Sequence, residues 1–208
     1  MMASELKAPL FVSWQLTRDC NLACVHCCTD SAPGKALPGE LSRKQALDFA
    51  DQIVDLGVPY AMLCGGEPLM IAHFMEVAER LGQGGVSLKI ETNGHLLTSE
   101  IAARLAKLPI RSIQVSLDGD TEQVYARQRI GGNLERAWSG CKAAKAAGLP
   151  LEITFAPTRR NIHEASAVLD RAILLGAFRF NTGALMRIGT AAKLWDQVVP
   201  TKEEYAKF

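Results

Sequence analysis

The feature that most restricts the fold is an alternation of six short apolar stretches with segments that carry helix signals. The stretches are FVSWQL (11–16), YAMLC (60–64), VSLKIE (86–91), SIQVSL (112–117), LEITF (151–155) and FRFNT (178–182). Between the first two, Ser42 and Gln45 form a capping box, and Ala46, Phe49, Ala50, Ile53 and Val54 keep one helical face. Gly57 ends that helix. The spacing predicts further helices over 72–81, after Thr98, over 134–147, and from a cap at Asn161 and Glu164 to Gly176. Strands alternating with helices of this length imply parallel βαβ units with right-handed crossovers. An open or closed barrel and a doubly wound sheet both satisfy that order. No GxGxxG follows the first strand, where a dinucleotide fold carries its phosphate loop.

The 208 residues suffice for one core, and nothing inside them marks a domain boundary. A net charge of +1 gives no electrostatic case for nucleic acid or an anionic membrane. No apolar run approaches the roughly 20 residues of a membrane span. The opening MMASELKAPLF lacks the apolar core of a secretory signal, so a cytoplasmic location is expected. In a reducing compartment, clustered cysteines point to metal binding or catalysis rather than to disulfides.

Parallel α/β architectures gather their chemistry at the C-terminal ends of the strands. The polar signatures of this chain fall there in turn. TRDCNLACVHCCTD (17–30) follows strand one, CGGEP (64–68) strand two, ETNG (91–94) strand three, SLDG (116–119) strand four and APTRRN (156–161) strand five. The first loop holds four of the six cysteines, and Cys20, Cys24 and Cys27 are spaced C-x3-C-x2-C. Short spacings in one loop suit a cubane iron–sulfur cluster, whereas tetrahedral zinc prefers two separated ligand pairs. Three thiolates leave one iron of a cubane open to a cofactor or substrate. Cys28, adjacent to Cys27, is read as a bystander, and Cys64 and Cys141 as packing residues. Met62, Met70 and Met75 read as core filling. His73 and His95 read as surface residues, and His163 as part of a first helical turn.

C-x3-C-x2-C after the first strand, with GGEP after the second, resembles the radical S-adenosylmethionine (SAM) superfamily, and the likeness spans the whole chain. The resemblance implies a partial (β/α)6 TIM-like barrel of parallel strands. It implies that Cys20, Cys24 and Cys27 hold a [4Fe–4S] cluster whose fourth iron is chelated by SAM. Reductive cleavage of SAM then gives methionine and a 5′-deoxyadenosyl radical that abstracts hydrogen from substrate. Gly65 and Gly66 would let backbone approach the methionyl part of SAM, and Glu67 would accept from its ammonium. Arg129 matches the arginine that pairs with the SAM carboxylate, with Arg127 its nearest competitor. Thr92, Asn93, Ser116 and Asp118 fall where the family places polar contacts to SAM or substrate. His26 stands where an aromatic residue usually lies near the adenine, and Cys64 where Ser or Thr is common.

WQLTRDCNLACVHC, SLDG and RIGTAAKLWDQVVPT are similar to the branch that carries auxiliary clusters in a C-terminal extension. That branch includes mycofactocin- and pyrroloquinoline-quinone-type peptide maturases, anaerobic sulfatase maturases, and haem d1 and alternative-haem enzymes. A peptide or cofactor-precursor maturase is the expected activity, with a tetrapyrrole-modifying enzyme the alternative. A degenerate iron–sulfur or peptide-binding scaffold is the non-catalytic one. Residues 1–208 then form the radical SAM core domain, with the auxiliary-cluster domain absent or truncated. A peptide or small-molecule substrate and an external flavodoxin- or ferredoxin-like electron donor are the implied partners.

Overall fold

The structure, a computed structural model, describes residues 7–208. Residues 1–6, which begin the stretch read as lacking a secretory core, lie outside the described residues. The chain enters as β1 (Val12–Gln15), makes a two-residue strand β2 (Ala23–Cys24) in the cysteine loop, and reaches α1 (Arg43–Asp55). β3 (Tyr60–Cys64), a 3-10 turn at Pro68–Met70, α2 (Phe74–Gln83), β4 (Ser87–Thr92), α3 (Ser99–Leu105) and β5 (Ile110–Ser116) follow. Then come α4 (Glu122–Gln128), β6 (Arg129–Ile130), α5 (Leu134–Ala146), β7 (Leu151–Phe155), a turn at Ile162–Glu164, α6 (Ala165–Leu175) and β8 (Arg179–Thr182). Three short helices close the chain: α7 (Gly189–Lys193), α8 (Trp195–Val198) and α9 (Lys202–Lys207). The capping box of Ser42 with Gln45 is present, and Thr98 caps α3 as expected.

Six strands form one parallel sheet in the order β1-β3-β4-β5-β7-β8. Strand order follows chain order without the reversal that defines a doubly wound sheet. The sheet therefore winds one way, as a barrel does, with β1 and β8 at its open ends. This is the partial (β/α)6 TIM-like barrel.

Alternation along each strand separates two faces. Ala61, Leu63, Leu88, Ile90, Ile113, Val115, Leu151 and Ile153 are fully or almost fully buried under the helices. They meet Ala46, Ala50 and Ile53 of α1 and Val77, Ala78 and Leu81 of α2 in one core. The opposite, concave face carries Lys89, Glu91, Gln114, Glu152, Thr154 and Asn181 instead. A closed barrel fills that space with branched apolar side chains. This one leaves it polar.

Two local features depart from the sequence reading. The loop after β5 contains the helix α4 and the strand β6, and β6 pairs antiparallel with β2 of the cysteine loop. A seven-residue helix and two-residue strands are too short to leave a periodic signal. Asn161 and Glu164 do not cap α6 with their side chains. Asn161 instead donates to the Asp118 and Ala156 carbonyls at 3.0 and 3.1 Å, and Glu164 accepts from Asp120 N at 2.7 Å. Both tie down the SLDG loop.

Candidate functional site

The cysteine loop lies directly on the GGEP loop. Gly66 N donates to Thr17 O at 2.8 Å and Glu67 N to Asp19 O at 3.0 Å. A Cβ on Gly65 would sit 2.7 Å from Thr17 O, and one on Gly66 would overlap the Asp19 carbonyl. The paired glycines therefore admit the backbone of the cysteine loop itself.

Each of the three expected ligands has donors aimed at its sulfur. Cys20 Sγ accepts from Leu22 N at 3.4 Å and Asn93 Nδ2 at 3.8 Å. Cys24, opposite Arg129 in the β2–β6 pair, accepts from Arg129 Nη1 at 3.6 Å. Cys27 accepts from Ser31 N at 3.3 Å and lies 3.3 Å from Thr29 Oγ1. All three are free cysteines. Burial raises the Cys20 thiol and pushes Cys24 up to about 12, against the pull of Arg129 on Cys24. Among the described residues, no three Cys, His, Asp or Glu side chains converge as the ligands of a single ion do. Three separated thiols ringed by N–H donors fit a multi-iron cluster, whose sulfurs accept such hydrogen bonds.

Asp118 lies behind this loop rather than in the cavity. Its Oδ2 is 2.6 Å from Arg129 Nη2 and 3.0 Å from His26 Nε2, and its Oδ1 accepts from Ala156 N at 2.7 Å. Complete burial alone would raise its pKa. The charges of Arg129 and His26 prevail and hold the carboxyl well below the usual range. His26 Nδ1 and Arg129 Nε are buried without a protein partner. Arg129 Nε, always a donor, suits an anionic group such as the SAM carboxylate. Arg127 is exposed, which leaves Arg129 as the arginine of the site.

Glu67 is also fully buried. Its Oε1 accepts from Thr92 Oγ1 at 2.8 Å and Leu69 N at 3.1 Å, and its Oε2 from Asn93 N at 2.8 Å. Burial raises its pKa to about 7 against the pull of those three donors. The structure thus makes Glu67 a buttress that binds the GGEP loop to the ETNG loop, with three protein donors on its carboxylate and one position on Oε2 left over. Asn93, so held, turns its amide to Asn21 Oδ1 at 2.8 Å and to Cys20.

A cavity of about 340 Å3 brings together Cys20, Cys24, Cys27, His26 and Arg129. Gly65, Gly66, Thr92, Asn93 and Ser116 line it too. Cys28 and Cys64, read as bystander and packing residue, also border it. His95 is half-buried rather than a surface residue, 3.3 Å from Tyr125 Oη and accepting from Asn133 N. Met70, expected in the core, is 39% exposed.

Residues 183–186 form a further wall that sequence reasoning missed. They are carried there by a clamp. Thr190 N donates to Cys27 O at 2.8 Å, Thr190 Oγ1 to Asp30 at 2.9 Å, and Lys193 Nζ to both Asp30 oxygens at 2.7 Å. Hydrogen bonds from Lys193 and Thr190 lower the Asp30 carboxyl to about 2. The sequence signal was slight: one Asp after the cysteines and one Lys 163 residues later.

A one-way parallel partial barrel whose first loop presents three cluster-type thiols beside a buried arginine defines a class of cofactor-bearing barrel. Residues 14–171 match the radical SAM superfamily, and the chain belongs to it. It is 37% identical over 206 residues to mycofactocin maturase MftC of Mycobacterium tuberculosis, covering 96% of this chain and 50% of that protein. It is 32% identical over 207 residues to the AdoMet-dependent heme synthase of Methanosarcina barkeri, covering 98% and 58%. The chain thus spans about half the length of the curated relatives it matches. The SAM-bound crystal structure of Streptococcus suis SuiB superposes with a TM-score of 0.76 at 20% identity, over 88% of this chain and 42% of SuiB. That likeness is one of fold. No helix among the described residues is long and apolar enough to cross a membrane.

Proposed function

We propose that this chain is the catalytic core of a radical SAM maturase acting on a peptide or cofactor precursor. The observation that carries the reading is the set of three cysteine sulfurs, each met by its own donors and all facing one cavity with Arg129. Cys20, Cys24 and Cys27 would hold a [4Fe–4S] cluster which, when bound and reduced by an external flavodoxin- or ferredoxin-like donor, would supply the electron for reductive cleavage of SAM to methionine and a 5′-deoxyadenosyl radical.

The residues of the chain do the rest. Arg129, charged and held by Asp118, binds the SAM carboxylate. Thr92 and Asn93 are fixed by Glu67, and Ser116 stands at the end of β5; these three, with the backbone of Gly65 and Gly66, orient the remainder. His26 lies in the cavity wall, its Nε2 held by Asp118. The wall formed by residues 183–186 narrows access of water to the chamber. Six free cysteines accord with a reducing, cytoplasmic setting. Residues 1–208 would be the radical SAM core domain.

Anaerobic reconstitution with iron and sulfide, followed by SAM and dithionite, tests the reading. 5′-Deoxyadenosine and methionine are expected together. A filled cluster that yields neither would leave the scaffold reading standing and remove this one. Cys24→Ala is expected to lose the cluster. Its retention would remove Cys24 from the ligand set. The match to a heme synthase favours a tetrapyrrole substrate as the second reading.

A further inference from the structure

The concave face of the sheet holds an organised polar row that neither the cluster nor SAM explains. Glu91 of β4 is in register with Gln114 of β5, and Gln114 with Glu152 of β7. Lys89 Nζ donates to Gln114 Oε1 at 2.7 Å and to Glu152 Oε2 at 3.1 Å. Asn181 Nδ2 donates to the same Glu152 oxygen at 2.8 Å. An ammonium only donates, so Lys89 fixes which end of the Gln114 amide faces it. The Gln114 Nε2 group is thereby turned to Glu91 Oε1, 3.0 Å away.

That arrangement holds Glu91 from behind, with Lys89 Nζ 3.9 Å from the same Oε1, and leaves its other oxygen free. Among the described residues nothing donates to Glu91 Oε2, and Glu91 lines the same cavity as the three cysteines. Thr154, two strands across and two residues further along the same wall, keeps its unpartnered hydroxyl beneath the surface. Arg129 is the one permanently cationic side chain among the described residues lining the cavity, and Asp118 already engages it. A carboxylate brought to Glu91 Oε2 would meet a like charge on the side away from Lys89 and would bring no donor for that oxygen to accept from.

We infer that Glu91 is a substrate-anchoring residue of this cavity that takes a neutral or cationic group bearing N–H or O–H donors in preference to a carboxylate. Amide, ammonium, guanidinium and phenol groups of a peptide meet this requirement. The carboxylate rim of a tetrapyrrole does not. Gln114 and Lys89 are positioning residues for Glu91. The inference rests on reading the cavity as the substrate chamber of the proposed enzyme.

The test uses the anaerobically reconstituted, oxidised protein with SAM and three four-carbon probes: butylammonium, butanamide and butyrate. Backbone amide shifts at Glu91, Gln114 and Thr154 report binding. Butylammonium and butanamide are expected to bind at least about fivefold more tightly than butyrate. Glu91→Gln should erase the preference for ammonium, and Glu91→Asp should retain it. Butyrate binding as tightly as the others would overturn the subsite. An unchanged order in Glu91→Gln, or no shift at those residues with any probe, would do the same. SAM cleavage by the unsubstituted protein is scored separately. Its failure strikes the proposed function, whereas the order of the probes requires no cleavage.

Discussion

The carboxylate of Asp118 and the guanidinium of Arg129 meet 2.6 Å apart with almost no solvent on either side. Arg129 then reaches Cys24 through Nη1, while His26, two residues further along the loop, returns to the same carboxylate. The end of β5 and the middle of the cysteine loop are thus joined through one buried anion. Removing one member of such a pair leaves an uncompensated charge in a low-dielectric site, which costs far more than a surface pair contributes.

Asp118→Asn should therefore destabilise the protein by about 3–5 kcal/mol and weaken SAM binding, with Arg129 no longer held. Urea denaturation and equilibrium SAM titration measure the two effects. Stability within error of the unsubstituted protein would show that the pair holds nothing.

Glu67 gives a pH signature. Its folded pKa of about 7 lies above the ordinary value of 4.5, so the native state binds this proton more tightly than the unfolded chain. Its contribution to stability is therefore full below 4.5, is lost as pH rises through 7, and is flat above. The loss is on the order of 3 kcal/mol across that window. Glu67→Gln, with no proton to lose, should show a shallower decline between pH 5 and pH 8 in urea midpoints, even where it is less stable throughout. Parallel curves for the two proteins would refute this.

Gly66 tests the contact between loops. A methyl at Gly66 meets the Asp19 carbonyl, whereas one at Gly39 meets nothing within 4 Å. Gly66→Ala should cost roughly 1–3 kcal/mol and reduce iron and sulfide incorporation by displacing the cysteine loop. Gly39→Ala should leave both unchanged. Equal cluster content in the two variants would contradict the packing argument.

The Asp30 clamp should be visible in exchange. Asp30→Ala removes the acceptor shared by Thr190 and Lys193. Amide exchange at Thr190, whose N–H is bonded to Cys27 O, should accelerate while β4 and β5 stay protected. Unaltered exchange at Thr190 would mean that residues 183–193 hold their place without Asp30.

The alternation of strands and helices was legible in the sequence because these elements are long enough to show a period, whereas the barrel was read only from the resemblance that the motifs carry. The motifs were legible because short spacings, as in Cys20, Cys24 and Cys27, survive in one dimension. What stayed hidden were relations across distance. Asp118 was read as a contact to SAM or substrate, and only three-dimensional proximity shows it between His26 and Arg129. Glu67 was placed by its motif, but the three donors that surround it come from its own turn and the neighbouring strand. Glu91 opens the ETNG signature but was given no role, and Gln114 carries no motif, since two polar side chains in two strands signify nothing until the register aligns them. The clamp of Lys193 on Asp30 spans nearly the whole chain and has no local signature.

The two-sided character of the strands has an evolutionary consequence. In each strand, alternate residues serve the helix-covered core, and the ones between face the hollow. A substitution at 89, 91, 114, 152 or 154 alters what the hollow recognises without removing a methyl from the apolar packing. Mutational tolerance and chemical specialisation are thus interleaved residue by residue. A lineage can change its clientele along the odd or even register of a strand while the scaffold inherits its stability from the other.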